Sequence, residues 1–372
     1  KPQRPSSLAS KSLLAVVSQP VVSGLPHSST RRISRRAVVG GLSALVVAGG
    51  GIIAWMLTQS ESSTTTAGGH ALLVYLGHAS EVTAVAWSPN GKYIVSGGND
   101  HTIQVWNAKT GSDLLILHGL SGGVPAVSWS PDSTRIASAT AGPSVSGGPP
   151  ASENAVQVWN ATTGKPIYIY HGHTSGITDI AWSPRSEHIA SSSTDYTVQV
   201  WDATTGKPPL IYRTHSWYVW TVAWSHDGKR LASGRPDGTI QIWDAVTGHT
   251  FLTFRGHSNA VEAVTWSPDG KYIASASDDH TVRVWNSATG KLVYVYRGHT
   301  SYVRTVAWSP DGHYIASGSN DKTMQVWDSA TGKTSYTYDG YSGSVTSVTW
   351  SPDGHYIASG SEDGSVQVLQ VS

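Results

Sequence analysis

The sequence predicts an all-β chain: a seven-bladed propeller closed by an N-terminal strand and preceded by one transmembrane helix. Three features predict it. A unit with a fixed tryptophan recurs every 42 residues, each unit holds four strand-like runs, and an uncharged apolar run of 21 residues spans Ala37–Leu57.

Composition agrees with short strands and tight turns, since 16 Trp and 16 Tyr stand against 2 Phe, together with 39 Gly and 18 Pro. The chain contains no Cys, which excludes disulfides, thiolate metal sites and a cysteine nucleophile. Net charge is +1, unevenly divided. Residues 1–70 hold seven of the 25 basic residues and one of the 24 acids, so the remainder carries 18 against 23, a balance near −5. A repeat region of that sign is not expected to grip nucleic acid through phosphates.

Residues 1–30 mix Ser and Pro with isolated apolar pairs and read as a disordered linker, in what looks like a piece of a longer product beginning at Lys1. Residues 31–59 follow as a basic flank, RRISRR, and the apolar run. As a helix that run would be about 30 Å long, the thickness of a bilayer core. Four arginines before it and the polar linker 60–69 after it place the N-terminus inside and the propeller outside. Alternatively, Ser34-Arg35-Arg36-Ala37-Val38-Val39 resembles a twin-arginine export signal, though no A-x-A cleavage site follows.

From residue 70 to 372 the unit GH-x3-V-x-x-V-x-WSPDG-x-YIASGS-x-D-x-TVQVWD-x-x-TGK recurs. Its Trp falls at Trp159, Trp201, Trp243, Trp285 and Trp327, with Leu369 one period later, and an earlier copy ends at Trp106. The 53 residues from Trp106 to Trp159 leave an insertion of eleven, placed within 142–153 in AGPSVSGGPPASE (141–153). Runs of the type T-V-A-W, Y-I-A-S, T-V-Q-V-W and L-V-Y-V-Y read as strands a to d, with S-P-D-G and A-T-G-K as turns. His70–Leu76 reads as a strand d without a, b or c before it, and Ser365–Val371 as a strand c without a d after it. Pairing the two closes the ring and protects its edges.

The repeat, covering about 300 residues, resembles the WD40 repeat proteins. In that family a hydrogen-bond chain links His before strand a, Ser or Thr of strand b, Asp of the b–c turn and Trp of strand c. The resemblance implies five complete sets: His78, Ser96, Asp100, Trp106; His173, Ser191, Asp195, Trp201; His215, Ser233, Asp237, Trp243; His257, Ser275, Asp279, Trp285; and His299, Ser317, Asp321, Trp327. Blade two departs with Leu120 and Glu153, blade seven with Tyr341 and Leu369. Recurrence once per blade marks these residues as structural rather than as a hydrolase triad, which is needed once. The 16 His are likewise spread by blade, with no H-E-x-x-H, so neither a metal nor any cofactor is expected. Gly49–Gly51 lacks the G-K-[ST] of a phosphate loop.

Among near-identical copies, positions that vary are free of the blade architecture. Around the start of strand a these include Trp217, Tyr218 and Trp220, Glu262, and Tyr302 and Arg304, aromatic and charged types that anchor interfaces. They are the expected contacts for a protein or peptide partner of a monomeric, non-catalytic propeller. By analogy with membrane-anchored bacterial serine/threonine kinases, the propeller reads as a scaffold or the sensor end of a receptor. A stand-alone scaffold, anchored or exported, is the alternative, and an enzyme with a site in the central channel a remote one.

Overall fold

The computed structural model describes residues 46–48, 51–53, 71–118, 122–140, 154–207, 210–213 and 217–371. Seven antiparallel sheets form seven blades, six of four strands and one of six. Blade 1 shows the pattern: strand a Val82–Trp87, b Tyr93–Gly98, c Ile103–Asn107 and d Asp113–Leu117. The other strands a begin at Val127, Ile177, Thr221, Val261, Val303 and Val345. Strand a of every blade touches strand a of the next, the seventh touching the first, so these strands line the centre of the ring.

β-Branched and aromatic residues favour these strands, and tight turns break them. At the a–b turns, glycines such as Gly91 (φ 73°) and Gly354 (φ 76°) take the left-handed conformation that other residues resist. Asx bonds fix the same turns: Asp353 Oδ1 accepts from the backbone N of His355 at 3.1 Å.

Closure uses the two chain ends of the repeat region. Strand β3, Leu73–Leu76, pairs with the last strand, Val366–Gln370, in the register Leu73↔Val368, Val74↔Gln367 and Tyr75↔Val366.

The expected transmembrane helix is corrected here. Within Ala37–Leu57 the described residues are strands, β1 at Val46–Ala48 and β2 at Gly51–Ile53, and β2 pairs with β3. The two strands pair in the register Val46↔Ile53, Val47↔Ile52 and Ala48↔Gly51. Val46, Val47, Ile52 and Ile53 are β-branched, which weakens the helical alternative. Among the described residues, no helix is long and apolar enough to cross a membrane. The rest of that segment, residues 1–45 and the insertion at 142–153 lie outside the described residues.

Neighbouring blades interlock through their outer strands. The strand d ring of one blade stacks on the strand c tryptophan of the next: Tyr75 on Trp106 at 4.7 Å, Tyr170 on Trp201 at 4.7 Å, Tyr212 on Trp243 at 4.3 Å, Phe254 on Trp285 at 5.5 Å and Tyr296 on Trp327 at 4.5 Å. Nearer the centre, Trp129, Trp182, Trp224, Trp266 and Trp350, which end strand a, donate Nε1 to a carbonyl of the preceding blade at 3.1–3.2 Å.

Tyr75 belongs to the closing strand, stacks on blade 1 and donates to Gln104 Oε1 at 2.5 Å. Tyr75→Ala is therefore expected to remove about 3–5 kcal/mol. Because the ring is closed at this point, calorimetry should show one lowered transition for the whole propeller rather than early melting of one blade.

Candidate functional site

The four residues of each expected hydrogen-bond chain come from the loop before strand a, strand b, the b–c turn and strand c. In blade 1, His78 Nδ1 lies 2.9 Å from Asp100 Oδ2 and Nε2 2.8 Å from Ser96 Oγ, while Trp106 Nε1 donates to that Oγ at 3.3 Å. Blade 5 repeats this with His257, Asp279, Ser275 and Trp285 at 2.8, 2.7 and 2.9 Å. Blade 6 does so with His299, Asp321, Ser317 and Trp327 at 2.9, 2.8 and 3.4 Å.

Two expected chains do not close. In blade 3, His173 meets Asp195 at 2.9 Å and Ser191 at 2.8 Å, but the buried Trp201 Nε1 has no partner among the described residues. In blade 4, His215 lies outside the described residues, and Ser233 Oγ and Trp243 Nε1 have no partner among those described. Asp237 there pairs at 3.5 Å with the buried Arg235, which stands where Ser, Gly or Thr stands in other blades. The tryptophan link varies along with the stack. Where the ring shares its core cluster with Leu117 or stacks at 5.5 Å on Phe254, the Nε1 bond is 2.9 Å; under a tyrosine at 4.3–4.7 Å it is 3.3–3.4 Å or absent among the described residues.

Blade 7 solves the same problem with different residues. Tyr341 hydroxyl meets Ser359 Oγ in the place of His, and the smaller Leu369 in the place of Trp leaves room for the larger phenol ring. Leu120 and Glu153 of blade 2 lie outside the described residues.

A second polar ring, which the repeat pattern does not announce, runs along the inner wall. Counted from the residue aligned with Val82, which in blade 4 is Val219, just before strand a, the third residue accepts from the fourth backbone N of the next blade: Asp179 from Val222 at 3.0 Å, Thr221 from Val264 at 3.3 Å, Thr305 from Val348 at 3.2 Å and Ser347 from Val85 at 3.0 Å. At the second residue, Thr83, Thr178 and Thr346 donate to the carbonyls of Val124, Val219 and Val82 of the following blade. Trp220, Glu262 and Arg304 occupy this second position in blades 4, 5 and 6, which have no such bond among the described residues.

These three residues form the rim where the partner contacts were expected. Glu262 Oε2 and Arg304 Nη1 are 3.3 Å apart. Tyr218 is tilted against Trp220 with centroids 6.1 Å apart, and Trp217, Tyr218 and Tyr302 are 54%, 39% and 42% exposed. Burial raises the Glu262 carboxyl, as does nearby Asp278, against the lowering effect of Arg304. Burial also raises Asp278 and, with Glu362, Glu81.

Two further rim residues come from the b–c turns and were not among the expected contacts. Tyr196 stacks on Tyr218 at 5.2 Å, and His280 packs on Tyr302 at 5.6 Å. Both follow the Asp of a b–c turn and adopt positive φ, 69° and 67°. The signal that finds them is variation among the copies at this turn: the position reads His101, Tyr196, Gly238, His280, Lys322 and Gly364.

Comparison with known families agrees with this architecture. The WD domain, G-beta repeat family model matches residues 69–107 and 164–202, and the model of the IFT122 first beta-propeller matches residues 218–372. The chain is similar to the WD40-repeat propellers over these segments. It is 32% identical over 123 residues to WD repeat-containing protein slp1 of Schizosaccharomyces pombe, covering 33% of this chain and 23% of that one. It is 36% identical over 125 residues to WD40 repeat-containing protein HOS15 of Arabidopsis thaliana (31% and 19%), and 28% over 120 residues to Protein HIRA of Zea mays (32% and 9%). The matched part spans less than a quarter of each relative's length. All three are eukaryotic, and they lend no support to a bacterial or kinase-linked setting.

Two opposed pH dependences are built into this propeller. Burial raises Asp100, Asp195, Asp279 and Asp321, but hydrogen bonds from the paired His and the neighbouring Thr outweigh it and hold them below the usual carboxylate range, Asp195 at about 2. The unfolded chain takes up these protons first, so their contribution is complete above about pH 4 and is lost as pH falls toward 2. Asp179 is the reverse: burial pushes it up to about 6 despite bonds from Val222, Thr221 and Ile180. Its contribution is complete below its ordinary value of 3.8 and is lost as pH rises through 6. Denaturant titrations should show wild type losing stability from about pH 4 to about pH 2.5. Asp179→Asn is expected to match wild type at about pH 4 and to exceed it by ~2 kcal/mol at about pH 8.

Proposed function

We propose that this propeller is a protein-interaction scaffold that binds its partner at the channel rim over blades 4 to 6, through Trp217, Tyr218, Trp220, Glu262, Tyr302 and Arg304. One observation carries the reading. At the second position of strand a, blades 1, 3 and 7 use a threonine to bond the next blade, whereas blades 4, 5 and 6 place Trp220, Glu262 and Arg304 there. Each such bond is worth about 0.5–1.5 kcal/mol. Forgoing it at three consecutive seams, in blades otherwise nearly identical, is explained by a role at the surface rather than in the fold.

The side chains suit such a role. Exposed rings beside one Arg–Glu pair supply large contact area at low entropy loss, with charges to set orientation. The relatives' own partners belong to those proteins; what they lend here is the scaffold class.

The test restores the missing seam. Trp220→Thr, copying Thr178, is expected to melt at or slightly above the wild-type temperature while losing the proteins that wild type captures from an extract of its source. Tyr218→Ala should lose the same proteins. Retained capture by both variants would remove this face from the reading, and loss of folding would reassign the residues to structure.

A further inference from the structure

On the face opposite the rim, where the a–b and c–d turns emerge, each strand a ends in a tryptophan whose ring faces the preceding blade. At four seams that blade covers it with a ring or guanidinium from the first residue of its strand b. Tyr356 stacks on Trp87 at 6.3 Å and Tyr93 on Trp129 at 6.4 Å. Arg135 lies over Trp182 with its guanidinium 4.8 Å from the ring, and Arg230 over Trp266 at 5.0 Å. The seam between blades 3 and 4 has neither a tyrosine nor an arginine at that position. Its covering residue is His188, the tryptophan is Trp224, and no ring or guanidinium stacks on Trp224 among the described residues.

A cavity of about 320 Å3 stands there instead, lined by His188, Val200, Leu210, Trp224, Gly228 and Ala245 among others. Its volume is at the lower end of the range for binding sites. One difference within the repeat opens it: His188 is shorter than the Tyr or Arg at that position in the other blades. Val246, 81% exposed, forms an apolar lip where blade 3 has Thr204.

What the cavity takes is read from the seam that precedes it. Arg135 donates Nη1 to Ala203 O at 3.2 Å and Nη2 to Ser186 O at 3.1 Å. The residues 42 positions on are Ala245 and Gly228, both lining the cavity, and their carbonyls accept no side-chain hydrogen bond among the described residues. In the next two seams the chain fills the corresponding acceptor itself: Ser287 Oγ donates to Gly270 O at 2.7 Å and Ser329 Oγ to Gly312 O at 2.8 Å. Ala245 has no hydroxyl to do so. Trp224 Nε1 already donates to Ala181 O at 3.1 Å, so the ring offers its face and not its N–H.

We propose that this cavity is a guanidinium site, which takes an arginine side chain of a binding partner, stacks it on Trp224 and accepts its N–H groups at the carbonyls of Gly228 and Ala245. Glu187 and Asp227 line the cavity together with Arg185 and Lys229, so its wall carries no net charge and the carbonyls and the indole face are what would select a guanidinium. A planar fork of donors on an aromatic face suits arginine, whereas a lysine ammonium is a strongly hydrated point charge without that fork. This site is independent of the rim, on the other face of the ring.

The experiment titrates the whole chain with acetyl-Gly-Arg-Gly-amide and its Lys and Leu counterparts, followed by saturation-transfer NMR. The arginine peptide is expected to bind, and the lysine peptide about tenfold or more weaker. His188→Arg, which supplies the guanidinium from within as Arg135 does, should abolish arginine-peptide binding and raise the melting temperature. His188→Tyr is a second blocker, copying the cover that Tyr93 gives Trp129, and should also abolish binding without lowering that temperature. Tyr218→Ala should bind the arginine peptide as wild type does. Absence of binding, preference for the Leu peptide, full binding by either folded His188 variant, or loss in Tyr218→Ala would each overturn the proposal.

Discussion

The ring depends on one contact repeated around it: an outer-strand ring of one blade lying flat on the strand c tryptophan of the next. A single four-stranded sheet cannot bury both its faces, so its stability is largely its neighbour's surface. The polar chains vary along with the stack. Under a tyrosine at 4.3–4.7 Å the indole Nε1 is farther from serine or without a partner among the described residues, and the His–Ser–Asp part persists because those bonds do not depend on the indole. Where the stack is changed the rest changes with it. Leu369 removes the indole from blade 7, and the space is filled by Tyr341, edge-on to Tyr338 at 5.1 Å.

Near-identity of the blades makes their few differences informative. A threonine at the second position of strand a stitches three seams, and its replacement by Trp220, Glu262 and Arg304 leaves blades 4 to 6 held by stacking and by the deeper bonds of Thr221 and Thr305. Those bonds suffice because several weaker contacts act at each seam. On the other face, His188 leaves Trp224 uncovered in the same way. At both places the chain keeps its backbone and changes what covers a surface.

The two families of buried carboxylates show how context separates identical groups. The b–c turn aspartates each receive a histidine and a threonine, which favour the ionised form. Asp179 receives two backbone amides and the Thr221 hydroxyl but no cation, and burial prevails. Neutral pH therefore suits the first set and strains the second.

The sequence by itself determined the blades, their number, their strands and the closing pair. These follow from a 42-residue period with two-fold alternation, and from an unmatched d run at one end and c run at the other, all visible along the chain. It also determined which residues stand at each rim position, because the copies can be compared in one dimension. What only the tertiary structure decided lies between blades. Tyr75 meets Trp106, Asp179 meets Val222, and Arg135 meets Ala203 across neighbouring units, so no pattern within one unit reports them. The strands at Val46–Ala48 and Gly51–Ile53 belong to the same class of decision. An apolar run of that composition suits a helix or a hairpin, and the strand partner that selects the hairpin, β3, lies outside it.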